Sequence, residues 1–286
     1  MVNFQSKRQQ SELMQPTRIK PRFSPPAYWQ AELFQSNPIF QDLQQLFQPG
    51  SCRDWPEPDW LNTLRSSTDF CFVANELLEQ DGRYYEDYIY ATQQIPTRAE
   101  NWHDLFGALI WCLFPNTKAL LNQLHIQEIA RAGHSPRTVL RNKITLLDEC
   151  GVLIAFTPSQ RSMVQQLQQH QWTGAFWQQR AQWWQQIRPV VFGHAIYEMA
   201  TQPFIGLTAK CWFIEVPEDF CHWPLCKSYA FLDQQLCQQI SQQSEYLLQK
   251  TQLTPLPLLG VPGWHADNQQ LAFYSNTDYF RPKRQH

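Results

Sequence analysis

Two short runs of the chain place an imidazole beside a carboxylate. In "ENWHDLFGALIWCLFP", Glu100 to Pro115, His103 and Asp104 open an otherwise apolar stretch. In "FGHAIYE", Phe192 to Glu198, His194 and Glu198 are four residues apart. That spacing is about one helical turn, so His194 and Glu198 share a helix face. A carboxylate at this range orients an imidazole for proton transfer, or joins it on one metal ion. The four residues His103, Asp104, His194 and Glu198 are therefore the candidate catalytic set, with a histidine as general acid/base and an acid as its orienter. Two imidazoles with one or two carboxylates also suit Zn, Fe or Mn, which makes a metal-assisted version the variant of the same idea. Arg98 or Lys210 is the candidate for holding an anionic group of a substrate. All of this requires the two runs, far apart in the chain, to face one pocket.

Each of these residues also has an explanation without chemistry. If Asn101 caps a helix, Asp104 stands at its third position, where a carboxylate bonds back to the Asn101 amide and favours the helix dipole. Thr97 with Glu100 is a rival capping box one turn earlier, and its use frees Asp104 for other work. His103 falls on a stripe with Phe106, Gly107 and Ile110, where a histidine is ordinarily a satisfied core residue. Gly107 lowers helix propensity by roughly 0.8–1 kcal/mol relative to Ala, so a close approach by another group is expected beside it. Gly193 invites the same expectation next to His194. Asp148 and Glu149 stand at the helix end that disfavours anions, and Arg141 or Lys143 is a local partner for them. Lys210 lies in the apolar run "GLTAKCW", so its ammonium must reach water or an acid.

Several kinds of chemistry lack their motifs. The chain has no phosphate-binding loop, no dinucleotide glycine fingerprint and no serine-nucleophile elbow. The His-Asp dipeptide of metal phosphohydrolases needs an earlier histidine, and none precedes His103. "CHWPLC" lacks the close Cys-x-x-Cys spacing of a zinc site, so scattered thiols are the expectation for the eight cysteines. No cofactor is specified.

The elements that must carry these residues are mostly helical. Apolar residues at helical spacing mark "NPIFQDLQQLFQPG" and the run from Asn101 to Phe114. A helix follows from Pro115 to Gly133, with proline at its start and glycine at its end. "SPRTVLRNKITLLDECG" reads as another helix stopped by a left-handed Gly151. Pro158 to Ile187, "PVVFGHAIYEMA" and about Tyr229 to Lys250 read as further helices. "VLIAF" and "GLTAKCWFIEV" read as strands of one small sheet, and "YYEDYIYATQQIPTR" fits a strand or a short helix. The Pro- and aromatic-rich tail from Thr254 has too many apolar residues for disorder and is expected to wrap the surface as ordered coil. The expectation is an α+β fold, mainly helical, with helices around a small sheet. Residues 1–26 read as a mobile arm and 27–286 as a single globular domain.

Composition bounds the class. A chain of 286 residues with twelve Trp and eighteen Phe can bury a sizeable aromatic core. A net charge of −2 gives no global basic field for nucleic acid, and the basic termini read as solvated tails. No run approaches the length of a membrane span, and the first residues lack an apolar signal core. A reducing cytosol is therefore expected.

Several stretches taken together resemble a known family. "NWHDLFGALIWCLFPNTKALLN", "ITLLDECGVL", "FGHAIYE", "GLTAK" and "PLPLLGVPGW…AFYSNTDYFRP" occur in an order similar to that of the bacterial family called domain of unknown function 3025. The resemblance covers about Thr97 to Pro282. It implies a bacterial, cytoplasmic protein and supplies no reaction, cofactor or catalytic residue. Gly107 and Cys150 depart from the family's pattern, which commonly has Asn at both places. The leading expectation is a small-molecule enzyme with a His/acid pocket. The alternative is a noncatalytic adaptor that presents an aromatic surface to an unidentified partner.

Overall fold

Short helices come first, each opened or closed by a proline or a capping amide. The structure is a computed structural model that describes residues 23–242, 247–248 and 253–283. The arm read over residues 1–26 falls outside them except for its last four residues. Of these, Pro26 gives its carbonyl to the Trp102 indole N–H at 2.9 Å. Helix α1 spans Leu33–Ser36, α2 Gln41–Phe47 and α3 Pro58–Thr63. The Asn37 side chain accepts the Ile39 amide and so starts the turn that leads into α2.

A small parallel sheet follows, made of β1 (Cys71–Ala74) and β2 (Gln94–Thr97). Between its strands lie α4 (Glu76–Asp81) and α5 (Tyr85–Thr92). The stretch "YYEDYIYATQQIPTR" thus holds both a helix and a strand. The left-handed Gln93 ends the first and turns the chain into the second.

Three longer helices come next. They are α6 (Trp102–Leu113), α7 (Pro115–Ala132) and α8 (Val139–Cys150). Nine residues of α6 are buried, which fits its nearly all-round apolar composition. Pro115 begins α7, where a missing N–H costs nothing. Asp233 takes up the amides of Asn116 and Thr117 at 3.0 and 2.8 Å, a negative charge on the positive end of α7.

The second sheet has the order β4-β3-β5-β6, from β3 (Gly151–Phe156), β4 (Ile187–Val191), β5 (Thr208–Glu215) and β6 (Thr254–Pro257). β3 runs parallel to β5 and antiparallel to β4, and β6 is antiparallel to β5. Every residue of β3 is buried, as expected of a central strand covered on both faces. Three further helices complete the described chain: α9 (Arg161–Gln168), α10 (His194–Ala200) and α11 (Leu225–Gln242). The tail after β6 is a series of 3₁₀ turns laid on the core through Tyr274, Tyr279 and Phe280.

The mainly helical α+β class is the one expected, and four local readings need correction. "PVVFGHAIYEMA" is not one helix: Ile187 to Val191 pairs with β3, and only His194 onward is helical. β-Branched Val190 and Val191 pack better on the pleated sheet. Gly151 is extended, at φ −68°, and starts β3 at once. A Cβ there would stand 2.4 Å from the Leu147 carbonyl oxygen, so the glycine serves close packing. Helix from Pro158 to Ile187 is limited to α9, after which the chain passes through a π turn over Thr173–Gln178. The late helix begins earlier than read, at Leu225. Much of its expected end, residues 243–246 and 249–250, lies outside the described residues.

An aromatic stack fixes α6 to α10. Trp102 stacks on Phe106 at 5.7 Å and Phe106 on Tyr197 at 5.5 Å. Phe40 stacks on both Phe106 and Tyr197. Such contacts are worth about 0.5–1.5 kcal/mol each beyond burial, and here they set the spacing of two helices.

Candidate functional site

His103 stands in the first turn of α6 and His194 begins α10. The Asn101 side chain caps α6 by accepting the Asp104 amide at 3.0 Å. Gly193 lets α10 start against the end of α8: a Cβ there would lie 2.4 Å from the Glu149 carbonyl oxygen. The two imidazoles then meet edge to face, Nε2 to Nε2 at 3.0 Å.

Each ring has a carboxylate on its far side, and the pairing crosses between helices. His103 Nδ1 lies 2.9 Å from Glu198 Oε2. The Nδ1 edge of His194 faces Asp148, whose carboxylate oxygen is 3.9 Å away, and Nδ1 itself is buried without a hydrogen-bond partner among the described residues. Asp148 in turn receives the Lys118 ammonium at 2.5 Å. The result is a chain of five groups: Glu198, His103, His194, Asp148 and Lys118.

The protons in this chain can be assigned from its electrostatics. The hydrogen bond to Glu198 raises His103 above the usual histidine value, although burial opposes it. Burial pushes His194 down to about 4, against the pull of Asp148. Burial pushes Asp148 up, but Lys118 and His194 outweigh it and hold the carboxyl below its usual value. His103 is thus the member of the pair that takes up a proton more readily. Once protonated, it donates Nδ1–H to Glu198 and Nε2–H to His194, which accepts on Nε2. A charged donor touching a neutral acceptor across 3.0 Å is a ready acid/base pair.

The pair lines a cavity of about 570 Å³. Its wall is polar. α7 contributes Lys118, Asn122 and His125, all buried, one above another on one helix face. Asn122 donates to Glu86 Oε2 at 2.7 Å, and His125 stands 3.9 Å from the same carboxylate. Burial raises Glu86 and pushes His125 down to about 4. Tyr84, Tyr85 and Trp111 add aromatic surface.

The sequence-derived candidates are distributed as follows. His103, His194, Asp104 and Arg98 line the cavity, and Glu198 sits just behind His103. Asp104 is not the orienter of His103. Its carboxylate is taken by Arg98, through the backbone amide at 2.7 Å and the guanidinium at 2.7 and 3.0 Å. It reaches back from the capped helix, but to Arg98 and not to Asn101. The rival box is unused, since the Thr97 hydroxyl bonds the Ile95 carbonyl. Lys210 lies elsewhere, in a second cavity. Gly107 has no atom within 4 Å of a would-be Cβ, so the close approach expected there is open cavity.

Asp148, Lys118, Glu86 and His125 escaped the sequence reading as site residues. Asp148 looked like a salt-link residue for Arg141 or Lys143, and its partner is Lys118 from another helix. The available signal was the polar set Lys118, Asn122 and His125 at i, i+4, i+7 inside "PNTKALLNQLHIQEIARAG".

Among the described residues, no group of three or more His, Cys, Asp and Glu side chains is disposed to hold a metal ion. The acids nearest the imidazoles are engaged, Glu198 by His103 and Asp148 by Lys118. Among the described residues no helix is long and apolar enough to cross a membrane.

Fold and site together define a mainly helical α+β protein with an imidazole pair on the wall of a polar cavity. The family model described as protein of unknown function (DUF3025) matches residues 70–284, most of the chain, and the chain belongs to that family. Every element that builds the imidazole pair falls within the matched span. No curated protein and no solved structure matches the chain.

Proposed function

We propose that the chain is an enzyme acting on a small polar molecule, with the His103–His194 pair as its proton-transfer centre. The observation that carries this reading is the 3.0 Å contact between two Nε2 atoms at a cavity large enough for a metabolite. His103 is the general acid, Glu198 positions it, and His194 is the neutral base, positioned by Asp148. Lys118 holds Asp148 in place. Arg98 is the cavity residue assigned to an anionic group of the substrate, with Asp104 fixing its guanidinium. This acid/base form is preferred to a metal-assisted one because both nearby carboxylates are already committed to other partners. It is preferred to an adaptor role because that role has no use for a polar cavity with buried charge. A bacterial cytosolic setting belongs to the same proposal, and it fits the eight cysteines, which are all free.

The test uses a library of polar metabolites against the full chain, read by thermal shift and ligand-detected NMR, with mass spectrometry for turnover. A compound converted by the wild type and not by His103→Phe or His194→Phe supports the proposal. Turnover that survives both substitutions refutes it, as does a library that yields no ligand for the cavity.

A further inference from the structure

A second cavity, of about 900 Å³, lies at the β6 edge of the four-stranded sheet and has a different character. Its floor is one face of two strands. Thr208 and Lys210 of β5 stand opposite Pro257 and Pro255 of β6, and the period of two puts all four on the same side. The prolines are tolerated because β6 is an edge strand. One wall is Trp172, with His170 stacked on it at 4.8 Å. The other wall is the tail, where Arg281 and Lys283 reach the cavity. The tail is tied down there: the Arg281 carbonyl accepts the Trp172 indole N–H at 2.8 Å.

The charges in this cavity are uncompensated. Lys210, Arg281 and Lys283 line it with one carboxylate, Asp278. Among the described residues none of the three cations has an acidic partner. Arg281 Nε donates to the Asp278 backbone carbonyl, and Lys283 to the Gln169 amide oxygen, both at 3.0 Å. Burial lowers His170, and Lys283 adds to the effect, so this ring is neutral at pH 7. Three cations against one carboxylate leave two positive charges facing a cavity floored by prolines and flanked by an indole.

We propose that this cavity is a second ligand site, separate from the imidazole pair, which binds an organic dianion of the phosphate-monoester class. Lys210 and Arg281 hold the phosphate, and the ester's apolar body lies over Pro255, Pro257 and Trp172. The arrangement accounts for Lys210, whose ammonium is placed mid-strand without an acid. A guanidinium and an ammonium converging on one group favour phosphate over a singly charged anion.

The probe is phenyl phosphate, titrated by calorimetry into the full chain, with inorganic phosphate and phenol in parallel. The proposal expects phenyl phosphate to bind more tightly than either fragment. It also expects Lys210→Gln and Arg281→Gln each to weaken binding by about tenfold or more, and His103→Phe to leave it unchanged. Arg281 is exposed, so its substitution leaves a folded chain even if that of Lys210 does not. The proposal is overturned if phenyl phosphate gives no binding, if inorganic phosphate binds as tightly, if Arg281→Gln has no effect, or if binding is lost in His103→Phe. The last result assigns the probe to the imidazole cavity.

Discussion

His103 and His194 are 91 residues apart in the chain and touch at 3.0 Å, each backed by an acid from an element other than its own. Glu198 of α10 serves His103 of α6, and Asp148 of α8 faces His194 of α10. The site therefore depends on the mutual packing of three helices. The stack of Phe106 on Tyr197, next in sequence to Glu198, holds two of them at the required distance.

His194 is pushed down to about 4, below the unfolded value near 6.5. In the folded state it resists protonation, so the unfolded chain binds the extra proton first. Its contribution is present above pH 6.5 and is lost as pH falls to about 4. A shift of this size corresponds to about 3 kcal/mol. His125, also pushed down to about 4, acts in the same direction. His103 has the opposite sign: its raised value gives stability below about pH 6.5 that is lost as pH rises through the folded value. Urea unfolding followed between pH 7 and 4 is expected to show a steep loss of stability, and His194→Phe to flatten it. An unchanged slope in that variant contradicts the assignment of a neutral, buried His194.

Glu198→Gln tests the partner exchange. The substitution keeps the shape and removes the charge that raises His103, so His103 titrates lower, as followed by its ring NMR signals. If Asp104 were the orienter, Asp104→Asn would have this effect instead. A positioned general acid or base contributes about 10²–10⁴-fold, and Glu198→Gln is expected to forfeit part of that in any reaction found by the library screen.

Much of this architecture is legible in the residues themselves, and the rest fails for a physical reason. Asn101 as a cap, Pro115 as a helix start, and the buried strands around Leu153 and Trp212 follow from local rules. The imidazoles and acids were also visible as chemistry-bearing residues. Their pairing was not, because spacing along one chain reports only neighbours on the same helix. His194 and Glu198 do share a face of α10, yet His103, inserted by the packing of α6, takes the carboxylate. Lys118, Asn122 and His125 share a helix face, but nothing in their own helix shows that α5 and α8 pack against it. Lys210 shows the converse: its strand was legible, and the cavity that its side chain lines is made by a tail without periodicity.

Lys118→Met isolates the ion pair behind His194. Lys118 is only 9% exposed at the side chain, and its removal leaves Asp148 charged and without its ammonium partner. Breaking a buried pair from one side costs roughly 3–5 kcal/mol, and the partial exposure of Asp148 places the expected loss near the lower figure. The double variant Lys118→Met/Asp148→Leu removes both charges and is expected to recover most of the stability in urea unfolding. Recovery without any return of ligand turnover separates a positioning role for Asp148 from a structural one.

Two glycines near the imidazoles behave oppositely under the same substitution. At Gly193 an added methyl would stand 2.4 Å from the Glu149 carbonyl oxygen and 2.6 Å from the Gly151 nitrogen, both backbone atoms that cannot move aside. Gly193→Ala must therefore push α10 from α8 and carry His194 away from Asp148. A loss of about 2 kcal/mol or more is expected, in the range of overpacked sites. At Gly107 the methyl meets nothing within 4 Å, and the helix gains the propensity difference of about 0.8–1 kcal/mol. Gly107→Ala should raise the melting temperature, whereas Gly107→Phe should keep the fold and block the cavity. Loss of ligand binding in Gly107→Phe, with His103 still titrating high by NMR, places the ligand in the space beside the imidazoles. Undiminished binding in that variant excludes it from that space.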